Sequence, residues 1–212
     1  STLTVNIGGS TVLDSPDTWN GEVSLNGGDL TLKGVNQNGN IEAVRGNLDL
    51  TSGRLTIGEG SSIAEAVSTN LTENTKLNIT ENGSVSIDNN DTWDGAISMN
   101  GGSLSLTEVT TGILNATAGE IIMDNVTLGA GTVIEGDVEV TSTDGYINIG
   151  QDMEFTYDNN DNLAGEIQLN GGILNYGADE NHSTNLSATS GNLNLLNSSY
   201  LVVTSPSNIE DL

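Results

Sequence analysis

Acidic residues recur in register at three places in this sequence, and carboxylates at such a spacing could bind a metal ion. The candidate calcium ligands are Asp88, Asp91, Asp94, Asp158 and Asp161, and an earlier copy of the pattern has Asp14 and Asp17. Calcium takes oxygen ligands, which carboxylates three residues apart in a turn can supply. The spacing is not that of an EF-hand, because Gly95 leads to Gly101 where the twelfth position would need Glu. Asp and Asn also cap turns by bonding to nearby backbone, so we expect either turn caps or bound calcium here.

Two tryptophans occupy equivalent positions in the sequence and could serve as sugar-stacking platforms. Trp19 and Trp93 each follow the dipeptide Asp-Thr, and a third copy of the same segment has Leu163 at this position. A leucine cannot offer the flat π-face of an aromatic ring, whereas both residue types bury apolar area. We therefore expect these three residues to pack in the core or at a corner.

The charge balance argues against several classes of partner and site. The 212 residues contain four Lys plus Arg against 29 Asp plus Glu, which gives a net charge of −25. Nucleic acids and anionic membranes are bound through basic residues that neutralise phosphate, so we expect neither as a partner. The chain has no Cys and one His, which excludes disulfides, thiolate catalysis and sites with two imidazoles. No apolar run approaches the ~20 residues of a membrane span, so we expect no membrane insertion by this segment.

Enzymatic activity on polysaccharides is a further possibility that the sequence disfavours. Two placed carboxylates suffice for glycoside hydrolysis, but with 29 acidic residues their presence discriminates nothing. A lyase acting on acidic sugars needs cations to offset the substrate charge. The available cations are Lys33, Arg45, Arg54 and Lys76, and none forms a recognisable motif with His182. We expect no enzyme, no catalytic residue and no cofactor other than calcium.

The elements that position these residues follow from an internal repeat. Residues 17–28, 91–102 and 161–172 share the sequence pattern D-[TN]-[WL]-x-G-x-[VI]-x-[LM]-N-G-G and are nearly evenly spaced along the chain. The similarity extends upstream and downstream and defines units of roughly 1–74, 75–145 and 146–212. Repetition at a nearly fixed period is typical of solenoids and other repeat architectures.

Within each unit, short apolar pairs alternate with polar residues and are separated by Gly-, Asn- and Asp-rich turns. Val23 and Leu25 are followed by Asn26-Gly27-Gly28 and then by Leu30 and Leu32. Alternation at period two places such side chains on one face of a strand, so we expect these four apolar residues in the core. The turns could join the antiparallel hairpins of a sandwich or form the corners of a β-solenoid.

The solenoid explains more of the sequence than the sandwich does. It accounts for a repeat that tolerates small insertions, for the scarcity of aromatic residues in a narrow interior, and for glycine at corners that need positive φ. We predict an all-β, single-stranded parallel β-helix (β-solenoid) that forms one domain over residues 1–212. With roughly 18 to 25 residues in each full coil, or rung, it would have about nine rungs, three in each repeat unit. Any side-chain ladders should join adjacent rungs and not successive repeat units.

The segments LNGGDLTL (25–32), MNGGSLSL (99–106) and SGNLNLLNSS (190–199) resemble the passenger domains of autotransporter and filamentous-haemagglutinin-type bacterial adhesins. Those domains are right-handed parallel β-helices displayed on bacterial surfaces. The resemblance implies a right-handed coil and an extracellular, surface-displayed, non-catalytic adhesin or stalk segment. It also implies partners on a host or neighbouring cell, either protein or glycan, or self-association.

Two other functions remain open at this point. One is a self-assembling surface-layer or filament subunit, which electron microscopy at low and high calcium would distinguish from a stalk. The other is a polysaccharide-binding or polysaccharide-degrading β-helix, which a glycan array and a reducing-sugar assay would test.

Overall fold

The structure, a computed structural model, describes residues 1–14, 18–142, 144–178, 184–196, 199 and 208–209, the last pair as backbone only. It divides into two compact units, 1–105 and 106–212, each described by itself below. The described residues of both units form strands and turns without any helix, and accordingly none of them forms a helix that could span a membrane. The all-β class is therefore confirmed, and the single domain over 1–212 stays a prediction.

Twenty strands follow one another along the described chain, most of them separated by short corners. The first unit holds β1 (Thr2–Asn6), β2 (Ser10–Asp14), β3 (Thr18–Trp19), β4 (Glu22–Gln37), β5 (Ile41–Ile57), β6 (Ser62–Ile63), β7 (Val67–Leu71), β8 (Thr75–Thr80), β9 (Ser84–Ile87), β10 (Thr92–Trp93) and the start of β11 (Ala96–Thr107). The second unit holds β12 (Ile113–Asp124), β13 (Val126–Thr127), β14 (Val133–Ser142), β15 (Tyr146–Gly150), β16 (Glu154–Tyr157), β17 (Asn162–Leu163), β18 (Glu166–Tyr176), β19 (Asn185–Leu195) and β20 (Asn208–Ile209).

The strands of the first unit pair in parallel and form three faces. Face A contains residues 2–6, 22–26, 41–45, 62–63 and 84–87; face B contains 10–14, 29–33, 47–50, 67–71 and 92–93; face C contains 18–19, 36–37, 54–57, 75–80 and 96–100. Each rung passes through A, B and C in turn. On face A, Thr2 pairs with Glu22, Val23 with Ile41, and Ser62 with Ser84, so a rung takes about 20 residues, within the range expected for a solenoid. Parallel pairing at this offset confirms the β-solenoid and excludes a sandwich of hairpins.

The second unit repeats this arrangement with its own register. Val126 pairs with Ile147, Tyr146 with Glu166, and Glu166 with Asn185, all in parallel. Over the described residues the two units contain about ten rungs, close to the nine predicted.

Apolar side chains fill the interior of every rung, as their alternation predicts. Val23, Leu25, Leu30 and Leu32 are each at most 2% exposed, which confirms the predicted core positions. Burial of apolar area at about 25 cal/mol per Å² is the main stabilising contribution of such a core. In the second unit, Tyr157 and Tyr176 pair in register with ring centroids 5.3 Å apart. These two large aromatic residues therefore pack against each other inside neighbouring rungs, with their ring planes inclined by 40°.

Glycine at the corner between faces A and B lets successive rungs approach closely. Gly46 has φ of 115°, and a Cβ built on it would collide with the carbonyl oxygen of Gly28 in the rung before. Both the backbone conformation and the contact therefore exclude a side chain at this position.

The length of one sequence repeat is not a whole number of rungs, which corrects the predicted three rungs per repeat unit. The strand at Val23 lies on face A, whereas its copy in the next repeat unit, at Ile97, lies on face C. Between the two, the chain returns to face A three times, in β5, β6 and β9, and then passes through faces B and C. One repeat therefore spans three complete rungs and two of the three faces of a fourth rung. The mismatch is possible because every face needs the same period-two strand and every corner the same small residues.

Candidate functional site

The acidic turns at 88–91 and 158–161 form the same cap. In the first, the Asp88 amide donates to Asp91 Oδ2 at 2.8 Å, and the Asn90 amide donates to Asp88 Oδ1 at 2.7 Å. The second has the same pair of bonds at Asp158, Asn160 and Asp161, both at 2.8 Å. In both turns, the second Asp sits at the corner between two strands and closes the loop onto its own backbone.

Each cap also reaches the neighbouring rung. The Thr69 amide donates to Asp91 Oδ1 at 2.6 Å, and the Val140 amide donates to Asp161 Oδ1 at 2.7 Å. Both oxygens of Asp91 and of Asp161 therefore accept backbone N–H groups. This confirms turn capping, which the sequence offered as one of two roles for these residues.

Burial shifts the pKa of the carboxylate in the second cap. Asp161 is 2% exposed, and its pKa is raised to about 7 because burial removes water from the carboxylate. The hydrogen bonds from Asp158 and Val140 lower the pKa, and the nearby carboxylates of Asp158 and Glu139 raise it, both less than burial does. The pKa of Asp91 is raised for the same main reason. The carboxylate of Asp161 is thus held near its charge transition at neutral pH.

The remaining acidic candidates are distributed differently. Asp94 is exposed at the corner before face C, where its amide bonds to Leu71 O at 2.8 Å. Asp14 forms an exposed ion pair with Lys33 at 3.0 Å, and Asp17 lies outside the described residues. Within the described part of the chain, no three Asp, Glu or His side chains are grouped so that they could hold a metal ion. Calcium binding at the five candidates stays a prediction.

The equivalent aromatic positions pack against the coil, as predicted. Trp93 is 4% exposed and donates from Nε1 to Gly95 O at 2.9 Å, and Leu163 is 5% exposed. Trp19 is half-buried in the first rung. Trp93 therefore offers no open ring face to a sugar.

Outward polar side chains of the second unit form ladders between adjacent rungs. Asn170 Nδ2 donates to Asn148 Oδ1 at 3.1 Å, and Thr189 Oγ1 donates to Asn170 Oδ1 at 2.6 Å. A second ladder runs through Glu154, Asn175 and Asn194, with bonds of 2.7 and 2.9 Å. These ladders join neighbouring rungs, which confirms the expectation drawn from the repeat spacing.

A shallow groove of about 260 Å³ lies at one corner of the second unit. Its lining comprises Glu108, Val109, Thr110, Asn125, Thr127 and Tyr146. Tyr146 is 36% exposed, whereas Tyr157 and Tyr176 are buried. Glu108 and Asn125 both have positive φ, 54° and 58°. An aromatic ring beside hydroxyl, amide and carboxylate groups has the chemistry that recognises a sugar.

The groove was not found from the sequence, because its residues are spread from Glu108 to Tyr146 and meet only through the register. His182, the one histidine, lies outside the described residues, and the predicted absence of catalytic residues stays a prediction. Comparisons with protein families, curated proteins and solved structures find no match for this chain.

Proposed function

We propose that this chain is a segment of an extracellular, cell-surface-displayed β-solenoid that acts as a non-catalytic adhesin or stalk. The observation that carries the proposal is the outward ladder formed by Asn148, Asn170 and Thr189. Paired strands are spaced by roughly 4.8 Å, so a ladder repeats the same amide or hydroxyl group at that interval. Such a surface suits many weak contacts with a repetitive partner, and avidity multiplies weak contacts.

Display at the cell surface is tested by antibody labelling. An antibody raised against the chain should label intact cells of the source before permeabilisation. A cytoplasmic protein of the same cells serves as the control and should be labelled only after permeabilisation. Labelling of the chain only after permeabilisation would overturn the proposal.

Adhesion is tested with beads that carry the purified chain. The ladder variant N148A/N170A/T189A should lower bead retention on the partner cells at least about fivefold, because multivalent binding magnifies the loss of each weak contact. The matched control N38A/N74A/T92A changes three exposed polar residues that take part in no side-chain bond among the described residues. Circular dichroism checks that both variants keep the β-fold. Equal retention of the two variants would count against adhesion through the ladder.

The groove beside Tyr146 favours a second candidate function, polysaccharide binding. Tyr146→Ala should abolish binding to those neutral glycans of a printed array that the native chain retains, because ring stacking contributes to sugar recognition. Tyr146→Phe keeps the ring and should keep most of the binding. Retained binding by the alanine variant would exclude this groove as the glycan site.

A further inference from the structure

All four Lys and Arg residues lie between positions 33 and 76, so the first unit carries every one of them against 13 acidic residues. Two of them have partners within that unit. Lys33 Nζ lies 3.0 Å from Asp14 Oδ2, and Arg45 Nε donates to Asn26 Oδ1 at 3.1 Å. Scarce positive charge in this protein is therefore used in defined contacts.

The other two cations are brought together by the coil. Arg54 and Lys76 are distant in sequence but directly paired on adjacent rungs of face C. Both are exposed, and neither forms an ion pair or hydrogen bond with any described residue. Like charges directly opposite each other destabilise a sheet. An anionic group placed between the two side chains would relieve this local repulsion.

The two outward rows of face C around the pair contain no acidic residue. Two outward rows of face C cross the rungs here: Thr18, Asn36, Arg54, Lys76 and Ala96 form one, and Thr56, Asn78 and Ser98 form the other. The acidic residues of this stretch, Glu59, Glu73, Glu81 and Asp94, occupy the corners on either side. The large apolar side chains exposed in this unit, Ile7, Val12 and Val44, lie outside face C.

We propose that Arg54 and Lys76 form a binding site for the carboxylate of an acidic sugar within an otherwise neutral oligosaccharide. A guanidinium fork binds a carboxylate through two parallel hydrogen bonds, and the ammonium adds a second positive charge. The amides of Asn36 and Asn78 and the hydroxyl of Thr56 can bond to the hydroxyl groups of neighbouring sugars.

The net charge sets the number of carboxylates that the ligand can carry. At −25 the protein repels polyanions at long range, so a chain with a carboxylate on every sugar is disfavoured. A single carboxylate feels mainly the two adjacent cations. The site is independent of surface display, and it assigns a ligand class that the proposed adhesin function does not.

The test is a titration of the purified chain at low ionic strength with cellobiouronic acid, a disaccharide with one carboxylate, and with neutral cellobiose. Amide chemical shifts of Arg54, Lys76 and their neighbours report binding. We expect saturable shifts with cellobiouronic acid, and at least a fivefold weaker response with cellobiose. The variant R54Q/K76Q should weaken binding of the acidic sugar at least fivefold. The affinity of R54K for this sugar should lie between that of R54Q/K76Q and that of the native chain.

The matched control is K33Q, which removes one charge on face B and should leave the affinity within twofold. Both side chains are exposed, so we expect R54Q/K76Q to fold, and its circular dichroism spectrum checks this. Three results would overturn the proposal: unchanged affinity in R54Q/K76Q, equal affinity for acetate alone, or tighter binding of polygalacturonate than of the disaccharide. Dimers in sedimentation velocity that R54Q/K76Q abolishes would also overturn it, because the carboxylate would then come from a second copy.

Discussion

Replacing Asp161 with asparagine should lower the stability of the protein at acidic pH and leave it equal or higher at alkaline pH. In the native chain both oxygens of this carboxylate accept backbone N–H bonds, at 2.7 Å from Val140 and 2.8 Å from Asp158. Asparagine keeps one acceptor and turns an N–H group towards the other donor. An unsatisfied buried amide costs about 1–3 kcal/mol, and this cost does not depend on pH.

A second effect of the substitution on the unfolding free energy depends on pH and favours asparagine as pH rises. Burial raises the pKa of Asp161 from 3.8 to about 7, so folding favours the protonated form. The associated stability is complete below pH 3.8 and is lost as pH rises to about 7. Each pKa unit corresponds to about 1.4 kcal/mol, so the loss between pH 5 and pH 7 is about 2 kcal/mol. Asparagine carries no charge and avoids this loss.

We therefore expect D161N to be less stable than the native chain at pH 5 and equally or more stable at pH 8. Urea denaturation followed by circular dichroism, at pH 5, 6, 7 and 8, measures the difference in unfolding free energy. The control D152N also removes one negative charge, and asparagine accepts the positive φ of Asp152, 61°. A difference between D161N and the native chain that stays constant over this range would refute the argument.

Three further predictions concern the coil itself. Gly46→Ala should lower the unfolding free energy by at least about 2 kcal/mol through strain and collision, whereas Gly8→Ala, with φ of 76° and open space around it, should cost about 1 kcal/mol; equal losses in urea melts would contradict this. Leu104→Asp should abolish the cooperative melt, because Leu104 is 0% exposed and an unpaired buried charge costs several kcal/mol; an unchanged melt would place it outside the core. Millimolar calcium at fixed ionic strength should raise the melting temperature by relieving repulsion among 29 carboxylates, and an unmoved melting temperature would refute this.

Sequence alone was sufficient for the fold because the same local pattern is repeated at every strand. Period-two alternation placed Val23 and Leu25 correctly in the core, and Gly and Asn marked the corners. Substitution of Leu163 for tryptophan correctly predicted packing at Trp93. The core and corner assignments depend on residues close together in the chain, where propensity and patterning act. The packing at Trp93 was predicted by comparing copies of the repeat.

The candidate sites could not be predicted in the same way because they depend on the register between rungs. Rung length varies along the coil, since the step from Val23 to Ile41 is shorter than the step from Ser62 to Ser84. The sequence therefore does not state which outward residues become neighbours. Arg54 meets Lys76 only once every intervening corner is fixed. The bond that Asp161 accepts from the Val140 amide of the neighbouring rung, and its burial, likewise depend on the register.

The mismatch between repeat and rung bears on how such a chain could change over time. Within the first unit, copying one repeat moves the copied strand from face A to face C. Duplication therefore does not place equivalent side chains in a single line. A binding sequence copied in this way would point in a new direction, and tandem growth by whole repeats would distribute contacts around the coil.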